Sequence, residues 1–188
     1  FSLLGKVSEG AYLENDSMVA CFEALNENLL SVDELQLAMQ CQVENVLAAV
    51  VATSLAGAKP DDIANAVSEF IGLEHRIEWV RTIRGIDFIN DSKGTNVGSV
   101  HKSLMSFSRP VILIAGGKDK GGDFLALKKI FKEKVKHLIL IGETKSKFRL
   151  MLNGSFSYED AGSMEDAIGR AIDKAEAGDV VLLSPGCA

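Results

Sequence analysis

The residues best suited to chemistry lie in two short polar stretches, each of which follows an apolar run. The first stretch, residues 90–96, reads Asn-Asp-Ser-Lys-Gly-Thr-Asn and follows the apolar run 86–89. Asp91 can accept from a ribose or bind a cation, Lys93 can pair with a phosphate or carboxylate, and Thr95 can cap a helix or contact a ligand. This composition predicts a ligand site, and its alternative is a capped turn with solvated charges.

The second stretch, residues 115–123, reads Ala-Gly-Gly-Lys-Asp-Lys-Gly-Gly-Asp and follows the apolar run 111–115. Its glycines permit positive φ and close approach of the backbone to a ligand, Lys118 and Lys120 add positive charge, and Asp123 can cap the next helix. The composition predicts an anion site, with a flexible glycine turn as the alternative. The spacing is neither G-x-G-x-x-G nor a P-loop, so no dinucleotide or NTPase motif is indicated.

The elements that must position these stretches alternate between strand and helix from residue 77 onward. Strands are predicted at 78–84, 86–89, 111–115, 137–141, 155–158 and 180–183, and helices at 95–107, 123–134, 145–152 and 163–177. This alternation is typical of an α/β fold, a Rossmann-like, mostly parallel sheet with helices on both faces. Ligands bind at the carboxyl ends of such strands, and we expect the two polar stretches to follow neighbouring strands and face one ligand.

Residues 1–72 have a different pattern. Short β-like runs separated by turn signals predict an antiparallel meander, at residues 1–7, 11–14, 18–25 and 29–32. Residues 42–57 predict a helix that is apolar nearly all round and should therefore be buried. A second helix is predicted from Pro60 to Gly72, with its apolar stripe at Ile63, Ala66, Val67, Phe70 and Ile71. The change of pattern at 72–77 predicts two domains, 1–74 and 75–188.

The overall composition excludes several classes of partner. With 20 Lys+Arg against 26 Asp+Glu the net charge is -6, which argues against nucleic acid or an anionic membrane as the main partner. The basic residues between 128 and 136 read as a solvated helix face. The longest apolar run, 46–52, is far shorter than the roughly 20 residues of a membrane helix. The chain starts at Phe1 and stops just after an apolar run, so we expect a piece of a longer protein.

Neither cysteines nor histidines indicate a metal site. The three cysteines, Cys21, Cys41 and Cys187, have no C-x-x-C spacing and fit a reducing, cytoplasmic setting without disulfides. The histidines have no partners at ligand spacing. We therefore predict no metal ligand in this chain.

The stretch 90–96 resembles the Asn-Asp-Ser-Lys-Ala-Thr-Asn motif of the Mur ligases, in the form carried by members that add D-glutamate to UDP-N-acetylmuramoyl-L-alanine. Gly94 replaces the alanine. Further segments match the family in the right order, namely Gln42-Val43-Glu44-Asn45, His75-Arg76-Ile77-Glu78, the stretch 115–123, and 183–188 as the start of another. The resemblance covers the whole chain.

This resemblance implies a fold, a reaction and a set of site residues. Residues 1–74 would end the central ATPase domain, and 75–188 would form most of the C-terminal ligase domain. The implied reaction is ATP-dependent amide synthesis in peptidoglycan precursor formation: a carboxylate is phosphorylated, and the amine of D-glutamate attacks the acyl phosphate. By position, Asn45, Arg76, Asp91 and Lys93 match nucleotide ligands, Thr95 and Lys120 match substrate contacts, and Lys93 and Lys120 match catalytic residues.

The resemblance further implies ATP and Mg²⁺ as cofactors, UDP-N-acetylmuramoyl-L-alanine and D-glutamate as substrates, and a cytoplasmic monomer. The family's P-loop and Mg²⁺ ligands lie outside this chain, so we predict that the chain alone makes no product. The family usually shows His-Asn where this chain has Cys41-Gln42, which puts a base contact by Gln42 in doubt. The competing hypothesis is a noncatalytic α/β module derived from a Mur ligase that binds an anion or amino acid.

Overall fold

The computed structural model describes residues 1–22, 25–36, 40, 42–154 and 156–188. These residues form two compact units, Phe1–Gly72 and Leu73–Ala188. Each unit has its own hydrophobic core.

The first unit contains an antiparallel sheet with the order β1-β2-β3. Its strands are β1 (Gly10–Glu14), β2 (Ser17–Phe22) and β3 (Leu25–Ser31). Asn15 and Asp16, with φ 50° and 61°, form the two-residue turn between β1 and β2, as expected for residues that tolerate left-handed backbone. The predicted meander is confirmed. The predicted strand at 1–7 is wrong, because only Ser2 forms a bridge, to Tyr12. Positions 23 and 24 of the predicted strand 18–25 lie outside the described residues.

Two helices, α1 (Val43–Leu55) and α2 (Pro60–Glu69), pack against this sheet. The prediction that α1 is buried on every side is wrong: it buries Val46, Leu47 and Val50, while Ala48 and Ala49 are exposed. Alanine is a strong helix former as well as apolar, so its abundance does not require burial.

Helix α2 starts at Pro60 as predicted but ends earlier than Gly72. Its C-cap, Phe70, has extended backbone (φ -73°, ψ 108°), so the helical periodicity stops there. Phe70 and Ile71 are consequently exposed, and the predicted apolar stripe is reduced to buried Ile63 and partly buried Val67.

The second unit is an open α/β sheet with the strand order β4-β5-β9-β6-β7-β8. Its strands are β4 (Glu78–Ile83), β5 (Ile86–Asn90), β6 (Val111–Gly117), β7 (Val135–Gly142), β8 (Tyr158–Asp160) and β9 (Val180–Leu183). The helices are α3 (Val97–Met105), α4 (Lys128–Lys134), α5 (Lys145–Leu152) and α6 (Met164–Lys174), with a 3₁₀ turn at Phe124–Leu127 before α4. The pairings are parallel except for the β4–β5 hairpin. The predicted fold class is confirmed.

Helices cover both faces of the sheet. Ile112 and Ile114 of β6 share a core with Ala167 and Ala171 of α6. Leu113 lies between those two isoleucines and points to the opposite face, because successive strand residues alternate. Helices α4 and α5 pack against β7, where the rings of Phe131 and Phe148 stack. The first residue of the predicted strand 155–158 lies outside the described residues. The observed strand β8 begins at Tyr158, the last residue of the predicted one.

The expectation that the two polar stretches follow neighbouring strands is wrong. The last strand of the chain, β9, lies between β5 and β6, and its Leu183 is paired with both Asn90 and Ile114. The crossover from β5 to β6 leaves a gap that only the end of the chain fills. Local sequence patterns carry no signal for this long-range insertion. Consequently the segment after β9 lies between the two polar stretches.

Candidate functional site

Three loops meet at the carboxyl edge of the second unit's sheet: 91–96 after β5, 118–122 after β6, and 184–188 after β9. The third loop connects the other two through backbone hydrogen bonds. The Gly186 N–H donates to the Gly94 carbonyl (2.8 Å), and Lys118 and Ala188 exchange bonds of 2.6 and 3.2 Å. This third loop is the part of the site whose position the sequence did not indicate.

Close backbone packing explains the glycines that end β6. Gly116 and Gly117 have φ of 115° and 156°. A Cβ at Gly116 would lie 2.1 Å from the Ile141 carbonyl oxygen, and one at Gly117 would lie 2.3 Å from the Ala188 carbonyl oxygen. These glycines are therefore needed to bring β7 and the third loop close to β6.

Asp91 is buried, with 5% of its surface exposed, and it ties three elements together. Its Oδ2 accepts hydrogen bonds from the Ser103 hydroxyl of α3 (2.6 Å) and from the Ser184 hydroxyl after β9 (2.7 Å). Burial raises the pKa of this carboxyl, while the two serine hydroxyls, the Ile77 N–H and the Arg76 charge oppose that rise. Asp91 is thus an internal hydrogen-bond acceptor, shared by α3 and the segment after β9.

Gly94, the position at which the motif departs from the family, packs directly on this cluster. A Cβ there would lie 2.4 Å from both the Asp91 Oδ2 and the Ser184 Oγ. An alanine at this position therefore requires both side chains to shift.

The residues after Asp91 divide between solvent and a pocket. Lys93 is exposed, and its Nζ forms no ion pair with any residue that the structure describes. Asn96 caps α3, since its Oδ1 accepts from the Ser99 N–H (2.9 Å), so the suggestion that Thr95 caps this helix is wrong. Thr95 precedes the cap and is left to line the pocket.

This pocket has a volume of ≈ 380 Å³ and brings together residues from all three loops. Its polar lining includes Thr95 and Asn96 from the first loop, Lys120 from the second, Asp123 directly after the second, and Cys187 from the third. The first N–H groups of α3 have no partner within the helix. One ammonium, one hydroxyl and these amides together suit a small anionic ligand.

Lys120 projects from a loop that other residues fix. Asp119 pairs with Lys147 (2.6 Å) and accepts from the Gly121 N–H (2.8 Å), and the Lys147 contact is the main reason that its pKa is lowered. Asp123 accepts from the Leu125 N–H, which confirms its predicted cap. Lys120 itself is exposed and is not needed for these contacts.

The other predicted site residues are not among those that line this pocket. Arg76 is exposed in the turn before β4. Its charge partly opposes the rise that burial causes in the Asp91 pKa. Asn45 is in the first unit, on the first turn of α1, where its Nδ2 donates to Gln42 Oε1 (3.0 Å). Cys41 lies outside the described residues.

The sequence did not single out Ser103 and Ser184, the two residues that hydrogen-bond Asp91. Ser103 carries a usable signal, because it is a buried polar residue beside Val100 and Leu104 on the apolar stripe of α3. Ser184 lies in the segment 183–188 that resembles the family, but nothing local pairs it with Asp91, which is 93 positions away.

The described residues contain neither a cluster of metal-ligating side chains nor a membrane-spanning helix. No group of three His, Cys, Asp or Glu side chains within the described ranges could hold a metal ion. No described helix is long and apolar enough to cross a membrane.

Comparison with known proteins identifies relatives of this arrangement. The family model described as Mur ligase, glutamate ligase domain, matches residues 75–187. A UDP-N-acetylmuramoylalanine–D-glutamate ligase of Syntrophus aciditrophicus is 40% identical over 188 residues, which are 100% of this chain and 42% of that protein. The same-named ligase of Geotalea daltonii is 49% identical over 145 residues, 77% of this chain and 32% of its own length. The chain thus spans less than half of these relatives.

Solved structures show the same fold at low sequence identity. Escherichia coli FolC in complex with DHPP and ADP has a TM-score of 0.70 at 18% identity, over 96% of this chain and 43% of FolC. MurF from Acinetobacter baumannii has a TM-score of 0.68 at 15% identity, over 94% of this chain and 42% of MurF.

Proposed function

This chain belongs to the Mur ligase family, and from that premise we propose that it is part of an ATP-dependent ligase that adds D-glutamate to UDP-N-acetylmuramoyl-L-alanine. In this proposal residues 1–74 end the central ATP-binding domain and 75–188 form most of the amino-acid-adding domain. The observation that carries it is the pocket in which Thr95 and Lys120 face the same space. The names of relatives at 40% and 49% identity support D-glutamate as the amino acid.

The pocket chemistry fits an acidic amino acid. Lys120 would bind one carboxylate through a charge-assisted hydrogen bond, and the Thr95 hydroxyl with the free amides at the start of α3 would bind a second. A volume of ≈ 380 Å³ suits a ligand of this size and leaves room for the incoming amine to approach the reacting carbonyl.

Nucleotide binding is proposed for a second group of residues. Bound ATP would supply the phosphoryl group that activates the substrate carboxylate. In the second unit, Arg76 and Lys93 offer exposed cations for its phosphates, and the Asp91 carboxylate is the proposed acceptor for a ribose hydroxyl. In the first unit, Asn45 is the proposed amide contact for adenine. The charged groups of the second unit therefore suit the phosphates and ribose of a nucleotide. Magnesium ligands are proposed to lie outside this chain.

Lys93 and Lys120 are the proposed catalytic residues. Transfer of a phosphoryl group and attack by an amine both concentrate negative charge at the reacting centre, and positioned ammonium groups stabilise that charge. We propose further that the complete ligase is a cytoplasmic monomer acting in peptidoglycan precursor synthesis, without nucleic acid or membrane partners.

The test measures phosphate release by the complete protein that contains this chain. We expect release to require ATP, UDP-N-acetylmuramoyl-L-alanine and D-glutamate together, and to be at background level with L-glutamate, alanine or diaminopimelate. Release with one of those amino acids but not with D-glutamate would refute the proposed substrate. Binding of D-glutamate without any phosphate release would favour the noncatalytic module.

The 188-residue chain alone is the matched control. We expect it to release no phosphate, because the family's P-loop and metal ligands are not among its residues. Release by this chain alone would contradict the assignment of residues 1–74 as only the end of the ATP-binding domain.

A further inference from the structure

The turn that carries Arg76 has an unfavourable backbone. His75 has φ of 69° and Ile77 has φ of 52°, both in the left-handed region that favours glycine. Ile77 is also β-branched and buried, a combination that this region tolerates poorly. Such a conformation persists only where surrounding contacts fix it.

Two polar side chains supply those contacts. Glu78 Oε2 accepts from the His75 backbone N–H (2.9 Å) and from Asn90 Nδ2 (3.0 Å). The same Asn90 Nδ2 lies 2.9 Å from His75 Nδ1. Glu78 and Asn90 face each other across the β4–β5 pairing, so the sheet sets their separation. The turn is thus held by a pair of residues that are themselves fixed in the hairpin.

Asn90 also connects this turn to the loop 91–96. Its Oδ1 accepts from the Ser92 N–H (3.1 Å), and the Lys93 N–H donates to the His75 carbonyl (3.1 Å). The amide therefore uses both of its donors and its acceptor at once, which aspartate cannot do.

We infer that Asn90 and Glu78 are positioning residues that hold the His75–Ile77 turn in the conformation presenting Arg76 beside Asp91. They act on the nucleotide mainly through the position of Arg76 and do not contact it themselves. The inference rests on the proposed function for its kinetic consequence, and on the turn geometry alone for its structural consequence. Each consequence has its own measurement.

The kinetic experiment uses the complete ligase and a double-mutant cycle. We expect Asn90→Ala and Asn90→Asp to raise KM for ATP about tenfold while changing KM for D-glutamate less than about twofold. In an Arg76→Ala background, Asn90→Ala should add less than about twofold, because its effect passes through Arg76. Arg81→Ala, on the exposed side of the same hairpin, is the control and should leave both constants unchanged.

A reciprocal exchange tests the donor and acceptor roles. Asn90→Asp places a second carboxylate beside Glu78, and adding Glu78→Gln restores one donor between the two side chains. We expect the double variant to recover at least about half of the loss in ATP affinity. An equal effect of Asn90→Ala with and without Arg76, or no recovery in the exchange, would overturn the inference.

Hydrogen exchange separates this result from a failure of the proposed function. The amides of His75 and Lys93 should exchange about tenfold faster in Asn90→Ala than in the parent and the Arg81→Ala control. If the complete protein proved not to be a ligase, no KM for ATP could be measured in any variant. The exchange rates of the His75 and Lys93 amides would still show whether Asn90 fixes the turn. Unchanged exchange at both amides would overturn the structural claim whatever the activity.

Discussion

The loop after β5 and the loop after β6 each carry one proposed catalytic lysine but are fixed in different ways. Side chains hold the first: Asp91 is buried between Ser103 and Ser184. Backbone contacts hold the second, where Gly116 and Gly117 allow neighbouring segments to approach closely. The first loop therefore combines a structural side chain, Asp91, with a proposed ligand contact, Lys93, within a few residues. At the second loop, the glycines that allow close packing are separate from Lys120, the proposed ligand contact.

The largest expected effect follows from the backbone packing at the second loop. Gly116→Ala would place a Cβ 2.1 Å from the Ile141 carbonyl at a φ of 115°. Overpacking and backbone strain together should lower the free energy of unfolding by more than about 3 kcal/mol. Urea unfolding of this chain measures the change.

Two other glycines serve as controls for that substitution. Gly121 has positive φ but open space, so Gly121→Ala should cost only about 1 kcal/mol. Gly169 lies within α6 with open space, and Gly169→Ala should stabilise by about 0.5 to 1 kcal/mol. If the three variants unfolded at the same urea concentration, the backbone description of the second loop would be wrong.

The first loop should be most sensitive at Asp91. Asp91→Ala removes the shared acceptor of two buried hydroxyls and should cost about 2 to 4 kcal/mol in unfolding free energy. Asp119→Ala is the matched carboxylate in the second loop. Asp119 is exposed and its ion pair with Lys147 is screened, so we expect its unfolding midpoint to be unchanged within error. A greater loss at Asp119 than at Asp91 would reverse the comparison.

The two lysines should behave alike despite their different surroundings. In the complete ligase, Lys93→Ala and Lys120→Ala should each lower kcat/KM by about ten- to a hundredfold, the loss of a charge-assisted hydrogen bond of roughly 1.5 to 3 kcal/mol. Thermal melting should be nearly unchanged, because both side chains are exposed.

Lys128→Ala and Lys132→Ala, on helix α4, are the controls for these lysines and should leave activity unchanged. Equal activity in all four variants would mean that both loops are ordinary turns. A drop in melting temperature that matched the loss in activity would show that Lys93 belongs to the structural part of its loop.

How much of this could be predicted from sequence depends on the distance over which each feature is determined. Local chemistry predicted the strand before Asp91, the Asp123 cap and the position of α5, because apolar runs and capping residues act within a few positions. The insertion of β9 was not predictable in this way. It depends on pairing between Leu183 and strands far away in the chain.

The same limit applies within the site. The lysines Lys93 and Lys120 predicted a site for anions. Nothing local shows that the Asp91 Oδ2 accepts a hydrogen bond from Ser184. The strained turn at His75 and Ile77 was equally hidden, because a β-branched residue such as Ile77 rarely adopts positive φ and one histidine does not by itself signal it.

The smallest effect concerns pH and distinguishes the two ends of β5. The Thr82 hydroxyl and the Arg109 guanidinium lower the pKa of Asp87 at its start, whereas burial raises the pKa of Asp91 just after its end. A lowered pKa contributes stability that is present above the unfolded value of about 3.9 and is lost as pH falls through the folded pKa. A raised pKa has the opposite sign: its stability is present below the unfolded value and is lost as pH rises through the folded pKa.

Substituting each aspartate by asparagine removes its titration, so the difference in unfolding free energy between parent and variant gives the pH dependence of that aspartate. At about pH 7, Asp87→Asn should lose about 1 kcal/mol of unfolding free energy, and the loss should shrink toward and below about pH 4 as Asp87 of the parent protonates. For Asp91→Asn the parent should gain stability relative to the variant as the pH falls, because the folded state holds the Asp91 proton more tightly than the unfolded chain. Urea unfolding of the parent and both variants between about pH 2.5 and 7 gives the two slopes. Slopes of the same sign would mean that the two serine hydroxyls, the Ile77 N–H and the Arg76 charge together outweigh burial at Asp91.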